Sequence, residues 1–488
     1  MENVVIVGGG ISGLTAAFRL KRLGIRSVIL EASARPGGVI ATTRRNGFLF
    51  ETGPQFPRFP APLWQLVRDL NLEDEFVAGN SKARRYIFRH GRLHPAPFSP
   101  IELFKTHLVG FTSKLRVLAD PLGYSRPPDQ EESLAEFVER KFDDEILENL
   151  VDPFISTIFL GDPRRMGMES AFPALVEWER RKGSLLRGAL AARRAKQQHA
   201  NSDKTSPETE GNRSALNGAN GNSNKLHVTQ ALPTLGSFKS GMAVLPERLA
   251  KELECEIRYG AEVLSLAPLH YDECAETTSW QLRLHNGETL IAEHVVLAVP
   301  AYIAAHLLGR SAPQLASLLN AIEYAPICTV SSAYDRSQIA NALDGFGFMV
   351  PRREGLHTIC TFWNSSLFDG RAPDGKVLIT SFAGANAGGD VADINNEAYV
   401  RAVEAENDRI LGISSEPVDR VIWRDTRALP QFNVGHARRV KEISALLRST
   451  PGLHLAGNYL NGRSIGECVD VAFRLAENLH SQLRNRLI

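Results

Sequence analysis

Glycines close to the amino terminus are spaced as a phosphate-binding backbone requires. The sequence at residues 8–13 is Gly-Gly-Gly-Ile-Ser-Gly, and it directly follows an apolar run at residues 4–7. A second apolar run at residues 28–30 ends on Glu31. A strand, a glycine turn, a helix, a second strand and an acid in this order predict a dinucleotide-binding site.

Each residue of this motif has a distinct expected role. Gly8 permits a tight turn, Gly10 lets the backbone approach a pyrophosphate, and Gly13 allows the helix to pack closely on the strand. Backbone N–H groups at the start of the helix are expected to face the phosphates. The Glu31 carboxylate is placed to bind a ribose hydroxyl.

The residues after Glu31 indicate which dinucleotide is bound. Arg35 and the pair Gly37-Gly38 lie just beyond the acid, and a further turn, Phe-Glu-Thr-Gly-Pro-Gln, follows at residues 50–55. This combination resembles the long fingerprint of the flavin-containing amine oxidase superfamily, in which both turns contact FAD. Taken singly, each turn is also compatible with an ordinary surface turn. Together, in this order, they predict FAD as the cofactor.

The bulk composition is that of a globular protein. The chain has 488 residues, of which 43% are hydrophobic and 23% charged, and its formal net charge is +1. Because the net charge is so close to zero, the protein as a whole has no electrostatic field that attracts nucleic acid. The five cysteines form neither a CxxC pair nor a metal-ligand spacing, so we expect reduced thiols and no metal site.

Targeting and membrane-spanning segments are not expected. The first predicted strand starts at residue 3, which leaves no room for a signal or transit peptide. No apolar run reaches the ~18 residues of a membrane span. We therefore expect a cytoplasmic protein.

Strand and helix patterns place the fold in the α/β class. Residues 281–291 alternate around an Asn-Gly turn and predict a hairpin, and residues 294–300 form a near-continuous apolar strand, typical of a sheet buried on both faces. A further strand is predicted at residues 257–264, and a helix at residues 465–483. Because these strands are far apart in sequence, we predict a Rossmann-type sheet built from discontinuous segments.

Three domains and one insert are predicted. Their bounds are 1–80, 235–300 and 425–488 for the FAD-binding domain, 81–98 and 301–424 for an α+β substrate-binding domain, 99–195 for a helical domain, and 196–228 for a disordered insert. The insert is predicted because Asn, Ser, Gly and Thr dominate residues 199–224, which therefore bury too little apolar surface to offset the entropy of ordering.

Motifs spread along the chain resemble the protoporphyrinogen oxidase family of this superfamily and cover almost all of the chain outside the insert. They lie at residues 85–97, 161–166, 171–173, 183–188, 345–351 and 456–468. Asn458 stands where amine oxidases and carotene desaturases usually carry an acidic residue. This departure favours the branch that oxidises porphyrinogens.

The resemblance implies that FAD is bound by residues from several parts of the chain. These are Gly8, Gly9, Gly10, Ile11, Ser12, Gly13, Glu31, Ala32, Arg35, Gly37, Gly38, Val39, Gly53, Pro54, Gln55, Phe56, Val263, Asn458, Arg463, Ser464 and Ile465. The Val263 backbone is expected at the adenine, and Asn458 at the isoalloxazine ring. A helix that starts near Ile465 has its positive end there, which favours the anionic edge of reduced flavin.

The same resemblance implies oxidation of protoporphyrinogen IX to protoporphyrin IX in haem biosynthesis. Six electrons leave in three cycles, in each of which a bridge methylene passes a hydride to the flavin. Dioxygen then reoxidises the flavin and forms hydrogen peroxide. No catalytic side chain is implied, so the expected role of the protein is to bind and orient the substrate.

The expected substrate pocket is broad and apolar with a cation at its rim. Arg85 matches the arginine that pairs with a propionate in this family, with Arg84 in that role if the alignment shifts by one residue. A solvated surface charge is the alternative for Arg85. The other implied substrate contacts are Gly347, Met349, Phe362 and Trp363. Core packing is the alternative role for the aromatic residues.

The helical stretch after Pro97 resembles the membrane-associating domain of the family. Its apolar and basic side chains are Phe98, Ile101, Leu103, Phe104, Leu108, Val109, Phe111, Lys105, Lys114 and Arg116. This pattern predicts peripheral attachment to an anionic membrane, on the cytoplasmic face of the inner membrane. An ordinary bundle that covers the active site is the alternative. A homodimer is a further expectation.

Other functions compete with this interpretation. An amine oxidase needs an aromatic cage and typically a lysine near the flavin, neither of which is identifiable, whereas coproporphyrinogen III differs from the expected substrate only by additional propionates. GDP-dissociation inhibitors reuse the fold as protein-binding modules without redox chemistry, but they lack a complete flavin site. The flavin absorbance of the purified protein separates an oxidase from such a module.

Overall fold

Two seven-stranded sheets, two two-stranded sheets (Thr42–Arg45 with Phe48–Glu51, and Phe76–Ala78 with Gly236–Phe238) and a group of helices make up the described part of the protein. The computed structural model describes residues 2–80, 82–123, 128, 130–202, 235–269, 279–384, 394–460 and 464–485. The strands are β1 (Glu2–Val7), β2 (Ser27–Glu31), β3 (Thr42–Arg45), β4 (Phe48–Glu51), β5 (Phe76–Ala78), β6 (Arg84–Arg89), β7 (Arg92–Pro95), β8 (Gly236–Phe238), β9 (Ile257–Tyr259), β10 (Val263–Leu269), β11 (Ser279–Leu284), β12 (Thr289–Leu297), β13 (Tyr324–Asp335), β14 (Gly345–Met349), β15 (Thr358–Phe362), β16 (Lys376–Ala383), β17 (Asp419–Pro430) and β18 (Leu453–Leu455).

The helices complete the element order. They are α1 (Ile11–Arg22), α2 (Ala61–Asp69), α3 (Pro100–Lys105), α4 (Phe111–Ala119), α5 (Leu134–Lys141), α6 (Asp144–Ile146), α7 (Asp152–Phe159), α8 (Met168–Ala171), α9 (Pro173–Lys182), α10 (Leu185–Ser202), α11 (Val244–Glu252), α12 (Ala301–Leu308), α13 (Pro313–Asn320), α14 (Asn364–Leu367), α15 (Glu397–Leu411), α16 (His436–Arg448) and α17 (Ile465–Asn485). None of these described helices is long and apolar enough to cross a membrane.

The first sheet has the strand order β10-β11-β12-β1-β2-β9, and β18 pairs with β12. β1 runs parallel to β2 and β12, with Val5 opposite Val28 on one side and Val295 on the other. The predicted hairpin is present as β11 and β12, in which Gln281 lies opposite Ile291. The sheet therefore draws its strands from separated parts of the chain, which confirms the predicted α/β arrangement.

One predicted strand is in fact two. Residues 257–264 contain β9 and the start of β10, which are separated by a turn at Gly260, whose φ is +64°. β9 pairs with β2, whereas β10 pairs with β11, so the two strands join different neighbours in the sheet. The apolar pattern runs through the turn and hides the break.

Helices cover both faces of the first sheet. Val4 and Ile6 pack into a core with α1, α11 and α17, and Val5 and Val7 pack into a second core with α12 and α13. Because successive strand residues point to opposite faces, β1 is buried on both sides. Packing on this sheet continues as far as α13, so the predicted start of the substrate-binding domain at residue 301 is too early.

The second sheet has the order β17-β13-β16-β15-β14-β6-β7. β6 runs parallel to β14, so residues 84–95 join strands that come much later in the chain. β17 pairs with β13 as far as Pro430. Residues 425–430 thus belong to this sheet and not to the FAD-binding segment that was predicted to start at residue 425.

The described residues between 100 and 202 are largely helical. Leu134, Phe137 and Val138 of α5 lie at the centre of their core. Ser133 and Glu136 form the predicted capping box, since each side chain accepts the backbone N–H of the other residue. α10 continues to Ser202, so residues 196–202 of the predicted disordered insert are helical. Residues 203–228 lie outside the described residues.

Candidate active site

The glycine turn between β1 and α1 leaves no space for side chains at two positions. Gly8 has a φ of +107°, and a Cβ added to it would lie 2.6 Å from the Ala298 carbonyl oxygen. A Cβ added to Gly13 would lie 2.0 Å from the Gly8 carbonyl oxygen. Both predicted roles, a tight turn and close packing of helix on strand, are therefore present in the structure.

Gly10, in contrast, borders open space. A Cβ added to it would meet no atom within 4 Å. Gly10 is also the N-cap of α1, and no side chain caps this end of the helix. The start of α1 thus borders free space and has no side-chain cap, and the first N–H groups of such a helix are the groups that bind a pyrophosphate.

The Glu31 carboxylate lies beside this turn. It accepts the backbone N–H of Gly9 at 2.6 Å and that of Ser33 at 2.8 Å, which fixes its orientation next to Ala32. The Ala261 N–H donates to the Glu31 carbonyl oxygen at 2.9 Å. The strand that carries Val263 is thereby brought to the acid, so the two predicted adenosine contacts lie at one end of the site.

Arg35 holds the second glycine turn, which contains Gly37 and Gly38, in its conformation. Its guanidinium donates to the carbonyl oxygens of Pro36, Gly38 and Ile40, at 2.6 to 3.2 Å. The Gly37 N–H donates to the Gly9 carbonyl oxygen at 2.8 Å, which joins this turn to the first one. Arg35 therefore holds the backbone of this loop in place, while Val39 remains 50% exposed beside it.

The loop at residues 53–56, here called the flavin loop, packs on the second glycine turn. A Cβ added to Gly53 would lie 2.0 Å from the Val39 carbonyl oxygen. The Gln55 amide nitrogen donates to the carbonyl oxygens of Glu51 and Gly53, so this side chain holds the loop closed after Pro54. The predicted residues at 37–39 and 53–56 are thus in direct contact.

The carboxy-terminal segment reaches the site next to β12, with which β18 pairs. The Ala456 N–H donates to the Leu297 carbonyl oxygen at 3.0 Å, and the half-buried Asn458 follows. Ser464 and Glu467 cap the start of α17, where Ile465 is buried. The helix begins at the predicted position. Arg463 lies outside the described residues.

These segments fit a dinucleotide that extends from Glu31 to the start of α17. The sequence profile of the family described as flavin containing amine oxidoreductase matches residues 11–480. The chain belongs to this family. It is therefore an oxidoreductase, and its cofactor is FAD, as predicted. Membership of an oxidoreductase family weighs against the non-redox binding module.

Similar proteins align over nearly the whole chain. Protoporphyrinogen oxidase 1, chloroplastic, from Arabidopsis thaliana is 31% identical over 97% of this chain and 87% of its own. Coproporphyrinogen III oxidase from Bacillus subtilis is 28% identical over 96% of both. The crystal structure of a protein from Exiguobacterium sp. 255-15, provisionally named protoporphyrinogen oxidase, has a TM-score of 0.78 at 26% identity and 99% coverage of both chains. The predicted resemblance is confirmed.

An aromatic cluster lies next to the flavin loop of this oxidoreductase. It consists of Phe56, Phe346, Phe362 and Phe382. The Phe56 ring makes edge-to-face contacts with the rings of Phe346 and Phe362, and the ring centres are 5.0 Å apart in both pairs. Since Phe56 is the last residue of the flavin loop, the cluster adjoins the predicted flavin contacts.

Arg85 lies at the border of the aromatic cluster. Its guanidinium is 4.4 Å from the centre of the Phe346 ring and 5.1 Å from that of Phe98. Burial, and after it the positive charge of Arg58, lowers the pKa of Arg85. Arg84 is exposed and precedes Arg85 on β6, so its side chain points to the opposite face. The structure thus favours Arg85 over Arg84.

The other predicted substrate contacts separate into two groups. Met349 and Phe362 pack on the face of the aromatic cluster. Trp363 is 1% exposed and lies in the core on the opposite face of the sheet, apart from the aromatic cluster. Gly347 is required by the strand pairing itself, because a Cβ there would lie 2.0 Å from the Thr361 carbonyl oxygen.

Two residues near the site were missed by the sequence analysis. Arg58 is exposed and close enough for its charge to act on Arg85. Asn364 is buried, and its amide donates to Gln55 at 2.9 Å. Arg58 lies just beyond the second glycine motif, so its position was a usable signal. No local pattern marks Asn364.

Proposed function

We propose that the protein oxidises protoporphyrinogen IX to protoporphyrin IX with FAD as the bound cofactor and dioxygen as the final oxidant. The observation that carries this proposal is the direct contact between the flavin loop and the aromatic cluster through Phe56. When bound, FAD supplies a two-electron oxidant that dioxygen regenerates.

The shape and polarity of the aromatic cluster suit a flat macrocycle. Phe56, Phe346 and Phe382 are half-buried, whereas Phe362 and Met349 are 7% exposed and form the floor beneath them. Aromatic faces and edges of this kind pack well against pyrrole rings. Such a surface orients the substrate without an acid or a base, which suits the oxidation of a bridge methylene.

The charges at the border of the cluster suit a substrate with carboxylates on one edge. Among the described residues, neither Arg58 nor Arg85 has a carboxylate within ion-pair distance. The two cations repel each other, and that repulsion is relieved when anionic groups bind between them. Two neighbouring propionates meet this requirement, and because coproporphyrinogen III carries the same pair, the two substrates are separated by the experiment below.

Anaerobic reduction of the bound flavin tests the proposal. Purified holoprotein mixed with protoporphyrinogen IX is expected to lose its oxidised flavin absorbance, and readmitted dioxygen is expected to yield fluorescent porphyrin and hydrogen peroxide. Coproporphyrinogen III is measured in parallel. Faster reduction by coproporphyrinogen would move the assignment to that substrate, and no reduction by either compound would reject both.

We also propose that α3 and α4 attach the protein to an anionic membrane surface. Exposed apolar side chains are concentrated on and next to these helices, namely Phe98, Ile101, Phe104, Phe111, Leu115, Leu118 and Leu122, with exposed fractions from 43% to 69%. Lys105 is not held by an ion pair in the described part of the chain, whereas Lys114 donates to the carbonyl oxygens of Phe104 and Thr106. An apolar face with adjoining cations suits an interfacial helix pair.

Flotation with liposomes tests this attachment. The protein is expected to float with anionic vesicles, and Phe111→Glu is expected to abolish flotation by placing a charge in the apolar face. Ile303→Glu is the matched control, because Ile303 is 39% exposed but lies on α12, on the first sheet. If the face instead joins two copies of the chain, the protein sediments as a dimer without lipid and Phe111→Glu makes it monomeric.

A further inference from the structure

A pair of buried amide side chains joins the flavin loop to the second sheet. The Asn364 amide nitrogen donates to the Gln55 amide oxygen at 2.9 Å. Gln55 is 5% exposed and Asn364 is 4% exposed, so water does not compete effectively for this bond. The two residues are 309 positions apart in sequence.

The orientation of both amides follows from their surroundings. The Gln55 nitrogen donates to the carbonyl oxygens of Glu51 at 2.9 Å and Gly53 at 3.1 Å. Carbonyl oxygens only accept, so the Gln55 oxygen is the atom that faces Asn364. Asn364 must therefore present its NH₂ group, and a carboxylate at this position cannot replace it.

Each residue of this Gln55–Asn364 pair, here called the bridge, is attached to one part of the site. On one side, Gln55 holds the flavin loop, whose Gly53 packs on the second glycine turn. On the other side, Asn364 follows Trp363, whose N–H donates to the Phe346 carbonyl oxygen at 3.1 Å. Phe346 and Phe362 are neighbours in the aromatic cluster, with ring centres 5.8 Å apart.

We propose that Gln55 and Asn364 are positioning residues that set the distance between the flavin loop and the aromatic cluster. They thereby align the substrate with the flavin. This inference rests on the proposed function, since it concerns the same site. Misplacement of reacting groups by about 1 Å can lower a rate by roughly 100-fold without a comparable loss of binding. The bridge should therefore affect the rate of flavin reduction far more than the affinity for either ligand.

Asn364→Asp is the sharpest test, because it keeps the size of the side chain and removes the donor. Asn407→Asp is the matched control. Asn407 is 2% exposed and is bonded to Thr361 and Ser381 on the other side of the second sheet. Asn364 begins α14 and Asn407 lies on α15, and both side chains bond to other residues in the interior. Both substitutions therefore bury a carboxylate, so both carry a similar cost in stability. Asn364→Ala is the milder second variant.

The readouts are the anaerobic rate of flavin reduction, the Kd of FAD and of protoporphyrin IX, and the reduction potential of the bound flavin. For both Asn364 variants we expect reduction to slow by about 10- to 100-fold, with each Kd within about threefold of the wild-type value. For Asn407→Asp we expect a rate close to that of the wild type. Equal rates in the Asn364 variants and the control would overturn the inference, as would a loss of FAD binding in both Asn364 variants.

Failure of the proposed function is distinguishable from failure of this inference. A wild-type protein that no porphyrinogen reduces would reject the function. The positioning role is then judged from the potential during reduction by dithionite, which requires no substrate. A potential shifted in both Asn364 variants but not in Asn407→Asp supports the role of the bridge, and an unshifted one rejects it.

Discussion

Polar side chains in the site direct most of their hydrogen bonds to the protein backbone. Arg35 binds three carbonyl groups of the second glycine turn, and Glu31 accepts the N–H groups of Gly9 and Ser33. Arg85 differs, because its guanidinium lies on aromatic rings. A cation that is half-buried without a carboxylate partner among the described residues is suited to a ligand's charge, and this property makes it testable.

Separate replacement of Arg85 and of its neighbour Arg84 tests whether Arg85 binds the charge of the substrate. Arg85→Ala is expected to raise the KM for protoporphyrinogen by about 10- to 100-fold, since hydrogen bonds to charged groups contribute about 1.5–3 kcal/mol. The flavin spectrum and kcat should change little. Arg84→Ala, which removes the same charge from the opposite face of β6, should leave the KM near the wild-type value. Equal effects of both variants would assign the role to general surface charge.

Replacement of Glu31 tests the adenosine end of the site. Glu31→Gln is expected to weaken FAD binding by about tenfold or more, because the amide loses the charge that strengthens the bonds to the ribose and to Gly9. Fluorescence titration of the apoprotein with FAD measures the change. Glu288→Gln removes an equally charged group from the turn between β11 and β12, where Glu288 pairs with Arg258, and should leave the FAD affinity unchanged.

The packing of α1 on β1 determines whether a pyrophosphate finds free N–H groups. Gly13→Ala places a methyl group 2.0 Å from the Gly8 carbonyl oxygen, so α1 must move away from the sheet. We expect a loss of about 1–3 kcal/mol in the free energy of unfolding, together with loss of FAD. Urea unfolding and flavin absorbance measure the two effects.

Gly10→Ala separates cofactor binding from folding. Gly10 has a φ of −73°, which alanine adopts freely, and its Cβ would meet no protein atom. The variant should therefore unfold at the same urea concentration as the wild-type apoprotein and yet bind no FAD. Gly309→Ala, in which the nearest atom would be 3.5 Å away, should retain both properties. A Gly10→Ala protein that binds FAD normally would contradict the phosphate site.

Local patterns were sufficient to predict the elements that hold the dinucleotide. The glycine turn, α1 and Glu31 are continuous in sequence, and their spacing reflects one strand-turn-helix unit. The Asn-Gly hairpin was predictable for the same reason. The break at Gly260 was not, because the apolar residues on both sides of it continue one pattern although they belong to different strands.

Contacts between distant segments could not be predicted in this way. The alternation at Phe362 and Trp363 shows that the two rings face opposite sides of the sheet, but it does not show which side forms the pocket. Only the arrival of Phe56 from the flavin loop decides this point. Likewise, nothing near Asn364 records that Gln55 lies beside it in the folded chain.

The whole molecule places its site where two sheets from interleaved parts of the chain meet. Polar contacts also join segments that are far apart in sequence. Asn364 bonds to Gln55, Arg371 donates to Ser237 at 2.6 Å, and Arg45 pairs with Asp419. The carboxy-terminal segment pairs with β12 of the first sheet through β18 and carries Asn458, a predicted flavin contact, so the predicted flavin site draws on both ends of the chain. Loss of packing at α16 should therefore weaken the binding of FAD.

Acid should destabilise the folded protein through His436 on α16. His436 is 2% exposed and contacts the Phe432 ring at 4.7 Å; burial, and after it the charge of Arg439, lowers its pKa to about 4. Since an unfolded histidine titrates near pH 6.5, the unfolded state binds the additional proton between about pH 6.5 and 4. The free energy of unfolding should thus fall as the pH falls through this window, by up to about 1.4 kcal/mol per pH unit. In urea unfolding at several pH values, His436→Gln should flatten this slope, whereas exposed His285→Gln should keep it; an unchanged slope in His436→Gln would contradict the assignment.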